Sequence, residues 1–116
     1  MLRALQDGKS LSIRAGTGPH RFIGIWVVVV TGRVFVRSWS LKSGGWWRTF
    51  LKEPHGQIRV GGRAIAVRAV RTRSERLKNA VSRAYLEKYG TGASLRYARD
   101  LGRATSRATT TELVPI

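Results

Sequence analysis

The chain contains no cysteine. Disulfides, thiolate zinc sites, iron–sulfur clusters and thiol nucleophiles are thereby excluded. Carboxylates are scarce: 6 Asp plus Glu stand against 22 Lys plus Arg, for a formal net charge of +16. They lie scattered in surface-like positions, with no spacing that suits paired-carboxylate catalysis. Histidines number 2, His20 and His55, both in Gly/Pro-bearing segments. Either reads as a general base or as a solvated loop residue, and neither supports a Ser-His-Asp grouping or a metal cluster. Long apolar runs are missing as well. The longest, 23–30, is strand-sized, whereas a membrane helix needs about 20 residues. The N-terminal MLRALQDGKS has an apolar stretch too short for a signal-peptide core and broken by Asp7. These absences predict a soluble, cytoplasmic protein with no membrane association. An enzyme on this chain would take its chemistry from an organic cofactor.

What is present fits one domain spanning 1–116. Hydrophobic residues make up 42% of 116, enough for a real core. Basic residues, mostly Arg, are spread through both halves rather than gathered in a tail. Arg suits bidentate contact with phosphate or carboxylate, so an anionic partner is one reading and a merely solvated basic surface the other.

Alternation of Leu11 and Ile13 over 9–14 predicts a short strand. After the Gly/Pro loop 15–21, the β-branched run 23–30 predicts a strand buried on both faces. Thr31-Gly32 turns it into a second strand over 33–40. WWRTFLKE reads as a short helix stopped by Pro54. Gly61-Gly62 joins strands over 57–60 and 63–72. Ser74 caps a helix to about Tyr89, whose stripe is Leu77, Ala80, Val81, Ala84 and Tyr85. A further short helix over 94–101 and a last strand over 109–114 complete the order. The expected fold is α+β: a six-stranded antiparallel split β-barrel with one amphipathic helix packed on it.

Polar and aromatic residues are densest in FVRSWSLKSGGWWRTF, 35–50. On a strand, Phe35, Arg37 and Trp39 share a face. Arg37, Ser38, Lys42, Gly44, Gly45 and Arg48 form a candidate phosphate cradle, ending at a helix start that favours anions. Trp39, Trp46 or Trp47 could pack against a flat ring. The same residues read equally as core tryptophans and surface arginines. In GTGPHR, 16–21, Thr17, His20 and Arg21 could contact an anion, or the segment simply connects strands. A basic barrel with aromatics could also bind nucleic acid, although no helix-turn-helix, RNP-like or GxxG signature is present.

The ordered set IWVVVV-TG-RVFVRSW, GGWWR, IRVGGRAIAVR, LKNAVSRAYLEKYG and RATTTELVP resembles an uncharacterised bacterial family, domain of unknown function 2255, over roughly 9–116. That family in turn resembles the deazaflavin-dependent nitroreductase group among flavin-binding split barrels. The resemblance implies FMN or F420 as cofactor, a redox reaction, and a homodimer. It places Arg37, Ser38, Lys42, Gly44 and Gly45 near a phosphate tail, Trp46 and Trp47 in a Trp-led helix, and Gly16, Thr17 and Arg21 in a first Gly/Arg loop. The chain departs from that group in Trp39 and Leu41, where smaller or polar residues are usual, and in a shorter loop before the helix.

Overall fold

A computed structural model describes residues 11–18, 21–39, 41 and 45–116. Among these lie seven strands: β1 (Leu11–Ala15), β2 (Ile23–Ile25), β3 (Val27–Val30), β4 (Arg33–Val36), β5 (His55–Val60), β6 (Arg63–Arg71) and β7 (Thr111–Pro115). The α-helices are α1 (Trp46–Lys52), α2 (Glu75–Tyr89), α3 (Leu95–Leu101) and α4 (Ala104–Arg107). All strands join one antiparallel sheet in the order β2-β1-β5-β6-β7-β4-β3. Its two outermost strands, β2 and β3, are consecutive in the chain and separated by Trp26 alone. The sheet therefore curls until its ends meet, giving a nearly closed barrel.

This explains why the strand count is seven and not the expected six. The run 23–30 does not stay one strand paired along its length with 33–40. Its first part pairs with β1, Leu11 opposite Ile25, and its second with β4, Val27 opposite Val36. An apolar run buried on both faces carries no mark of a change of partner. The strand after the turn also stops at Val36 and not at 40. There the Arg37 N–H leaves the ladder and donates to Tyr85 Oη at 3.1 Å.

Turn chemistry follows the sequence. Thr31 and Gly32 have φ of 49° and 74°, and Gly61 and Gly62 have 56° and 80°. Paired positive φ is what a two-residue hairpin turn needs to match strand twist. Thr31, the non-glycine here, donates its hydroxyl to Val30 O at 2.7 Å.

Inside the barrel lie Leu11, Ile13, Ile25, Val34, Val36, Ile58, Val67 and Leu113, all buried. Trp46, Trp47 and Phe50 of α1 join this cluster. The outer faces of β3 and β4 meet α2: Val28 and Phe35 pack with Val81, Tyr85 and Tyr89, and with Ala98 and Leu101 of α3. Burying each such large side chain contributes about 1.5–3 kcal/mol. Ser74 caps α2 as expected, its hydroxyl accepting from Leu77 N–H at 3.2 Å. Leu77 is half-buried, and Val81 and Tyr85 are fully enclosed. The expected single helix on the barrel is thus several, since α3 and α4 fill the return from α2 to β7.

Candidate functional site

At Trp26 the closing strand changes partners, and backbone groups there lose their ladder bonds. A buried peptide group without a partner is costly. Two phenols supply the partners. Tyr89 Oη accepts from Val27 N–H at 3.1 Å and donates to Val27 O at 2.9 Å. Tyr85 Oη accepts from Arg37 N–H and donates to Trp26 O at 3.1 Å. Lys88 Nζ also donates to Val27 O, at 2.7 Å. Burial raises both phenol pKa values, that of Tyr89 to about 12. Both hydroxyls therefore stay protonated and able to donate.

These bonds fix the Trp26 side chain against α2. Its ring stacks on Tyr89 with centroids 4.0 Å apart and planes at 3°. Trp39 meets it edge-on at 5.3 Å, and Tyr97 at 6.4 Å. Trp39 and Tyr97 themselves meet edge-on at 6.3 Å. Together with Asp100 these three rings line an open, largely apolar cleft of about 390 Å³. Trp39 and Tyr97 are 44% and 45% exposed, unusual for rings of that size. Two cations stand by: the Arg96 guanidinium lies 5.3 Å from the Tyr97 centroid, and Arg103 Nε lies 3.5 Å from Asp100 Oδ1.

The sequence candidates divide around this cleft. Phe35, Arg37 and Trp39 do share a face, the one covered by α2 and α3. Trp39 reaches the cleft, but Arg37 is only 2% exposed. Its guanidinium donates to Thr110 Oγ1, Ser82 Oγ, Leu101 O and Lys78 O, each at 2.8 Å. Burial pushes its pKa down to about 10. Expected beside a phosphate, Arg37 instead ties β4 to α2, α3 and the residue before β7. Ser38 is buried next to it, its N–H donating to Thr109 Oγ1 at 2.8 Å.

Trp46 and Trp47 are buried in the barrel cluster with Phe50, which leaves them no open ring face comparable to that of Trp39. Trp47 does line a smaller hollow of about 230 Å³ with Arg71, Arg73 and Thr111. Gly45 precedes α1 and accepts from Thr49 N–H at 3.1 Å. Arg48 is exposed and donates through Nε to Leu41 O at 2.9 Å. Lys42, Gly44, Ser43 and His20 lie outside the described residues. Thr17 is occupied by a carboxylate of the chain itself: its N–H and Oγ1 donate to Glu53 at 3.1 and 2.6 Å. Arg21 is exposed. Thr17 and Arg37 thus have separate partners within the chain, Glu53 for the one and α2, α3 and Thr110 for the other.

Sequence reasoning missed Trp26, Tyr97, Asp100 and Arg96. Trp26 was legible only as one residue of a buried strand, and its signal is being the one bulky flat ring in a run of Val and Ile. Tyr97 lies in the short helix expected over 94–101, where nothing in the pattern marks it as a surface ring. Among the described residues no group of three or more His, Cys, Asp or Glu could hold a metal ion. Nor is any helix among them long and apolar enough to cross a membrane.

In fold the chain is similar to a conserved hypothetical protein, Rv2991 from Mycobacterium tuberculosis, known from a crystal structure. The TM-score is 0.64 at 11% identity, over 99% of this chain and 76% of that one. No curated protein sequence matches the chain. A family of uncharacterised proteins conserved in bacteria matches residues 2–113, nearly the whole length, and the chain belongs to that family, DUF2255.

Proposed function

We propose that this chain is a split β-barrel of the flavin-binding type, and that it holds a flat, phosphate-bearing redox cofactor, FMN or F420, in the aromatic cleft. The observation that carries this reading is the cleft itself, about 390 Å³, lined by Trp26, Trp39 and Tyr97. Small-molecule sites are clefts of roughly 300–1,000 Å³ with apolar, aromatic walls and a few polar groups.

The walls fit the ring part of such a cofactor. Trp39 and Tyr97 offer exposed π-surface, and Trp26 is held still by its stack on Tyr89. The Asp100 carboxylate, on the cleft wall, can accept a hydrogen bond from a ring N–H. For the anionic tail, Arg37 does not fit, because four protein acceptors already occupy it. Arg96, against Tyr97, takes that role in this reading. When bound, the cofactor supplies hydride transfer. The chain's own part is to grip the ring, exclude water from one side and neutralise the tail. A second copy, forming a homodimer, covers the open side.

The test is a titration of purified protein with FMN and with F420, read by tryptophan quenching and visible absorbance. Trp39→Ala should lose about 1–3 kcal/mol of affinity, the scale of one aromatic stack on a flat ring, or roughly 5- to 150-fold. Light scattering with and without cofactor reads the oligomer. A parent protein that binds neither cofactor at high micromolar concentration rejects the function, and a Trp39→Ala variant that binds as tightly as the parent rejects the site.

A further inference from the structure

The helices cover only part of the barrel. α2 and α3 pack over β3 and β4, while among the described residues no helix lies over the outward face of β2, β1, β5 and β6. Directly paired residues in an antiparallel sheet point to the same side, and every second residue along a strand does so too. The registers therefore define what this face displays. One row carries Gly24, Ser12, Arg59 and Ala64. The next carries Arg14, Gln57 and Ala66, and the third His55 and Arg68. Each of these successive rows holds one guanidinium, and rows two residues apart lie about 6.8 Å apart along the strands.

Beside this track sits one aromatic ring. Phe22 has the Arg59 guanidinium 4.1 Å and the Arg14 guanidinium 4.8 Å from its centroid. Glycine, serine and alanine between the arginines keep the face low. No Asp or Glu occupies an outward position on these four strands. Of the five described acids four are engaged elsewhere, Glu53 with Thr17, Glu75 with Arg107, Asp100 with Arg103 and Glu112 with Arg33, and the fifth, Glu87, lies on α2. Among the described residues, Arg59 and Arg68 form no ion pair.

We propose that this uncovered face binds single-stranded nucleic acid, with Arg14, Arg59 and Arg68 on successive backbone phosphates and the Phe22–arginine stack under the bases. The charge is complementary and regularly spaced. Flat groups beside a basic track are the sequence-tolerant platform that single strands use. A duplex would need an element projecting into a groove, and among the described residues this face is sheet alone. The site shares no residue with the aromatic cleft and stands or falls apart from it.

The experiment is fluorescence anisotropy with a labelled short oligothymidylate over about 50–200 mM salt, the range in which counterion release is steep. The combined variant Arg14→Gln, Arg59→Gln and Arg68→Gln should reduce the slope of log affinity against log salt by about 2, at about 0.7 per lost phosphate contact. A variant of equal charge on the helices, Arg76→Gln, Arg83→Gln and Arg99→Gln, should keep the parent slope. Phe22→Ala should weaken binding by about fivefold or more with the slope unchanged. Phenylglyoxal modification of the unaltered protein needs no variant: the oligonucleotide should protect Arg14, Arg59 and Arg68 but not Arg76 or Arg83. Equal slopes in the two combined variants, or uniform protection, overturn the proposal. So does a duplex of the same sequence binding as tightly as the single strand. Retention on phosphatidylserine-containing vesicles through the same arginines, without oligonucleotide binding, overturns it in favour of a membrane surface.

Discussion

Replacing Arg37 with leucine removes a buried cation that touches three separate segments. Two of its acceptors, Ser82 and Thr110, are hydroxyls that can rotate toward other partners; the other two, Lys78 and Leu101, are backbone carbonyls. A buried acceptor left without a donor costs about 1–3 kcal/mol; Leu101 O, the last carbonyl of α3, is left so, whereas Lys78 O lies within α2 and keeps its helical donor. Acting the other way is the relief of no longer burying a charge. The pKa of Arg37 is held down from 12.5 to about 10, which corresponds to on the order of 3 kcal/mol against the charged form. Leucine is also smaller and leaves unfilled space in a side chain's place. The net expectation is a loss of about 1–3 kcal/mol, read by urea unfolding followed by circular dichroism, and a drop in Tm of roughly 5 °C or more. Arg37→Lys should not restore it, because an ammonium lacks the planar fork that reaches acceptors on both helices. An Arg37→Leu variant within about 0.5 kcal/mol of the parent, the range of ordinary surface changes, would refute the structural role. If cofactor affinity fell at the same time, Arg37 would belong to the ligand after all.

Stability should decline as pH rises above about 10, the ordinary phenol value. Tyr85 and Tyr89 have folded pKa values raised by burial, so their contribution is complete below that pH and is lost toward the folded value, about 12 for Tyr89. Arg37, with a lowered pKa, works in the opposite sense over the same window, so two phenols act against one guanidinium. Urea midpoints at a series of alkaline pH values check this, and Tyr89→Phe should both flatten the decline and cost about 1–3 kcal/mol at neutral pH by stranding the Val27 N–H, while Lys88 still serves Val27 O. Gly56→Ala should destabilise by about 1–3 kcal/mol, since a Cβ there would meet Arg14 O at 2.4 Å and Phe50 Cε1 at 2.9 Å. Thermal unfolding checks it, and an unchanged Tm would mean that α1 sits less tightly against β5.

Local features were readable because their causes are local. Thr31-Gly32 and Gly61-Gly62 announce hairpins through backbone conformation, Pro54 limits α1, and Ser74 opens α2. The break at Trp26 was not readable, because both parts of 23–30 are apolar and only the identity of the partner strand changes. Arg37 misled for a related reason. An arginine after a strand reads as exposed, and only the helix lying over that face, with Leu101 and Thr110 brought from far along the chain, encloses it. Of the candidate site, Trp39 was legible from its place in a dense aromatic segment. Its companions Trp26 and Tyr97 come from segments whose pattern suggests plain strand and plain helix.

The place of β7 in the ring has a consequence for how the chain is made. It lies between β6 and β4, yet it is the last strand in sequence. Until residues 111–115 leave the ribosome, the sheet consists of β2-β1-β5-β6 and β3-β4, linked along the chain at Trp26 and through residues 37–54 but by no ladder. The facing edges of β6 and β4 then carry unpaired donors and acceptors, a hazard for aggregation. Closure thus waits for β7 and has a long reach in sequence, Val34 finding Leu113, and contacts of that span fold slowly. Chains cut short before β7 should accumulate as half-sheets that pair with one another, whatever ligand the finished barrel takes.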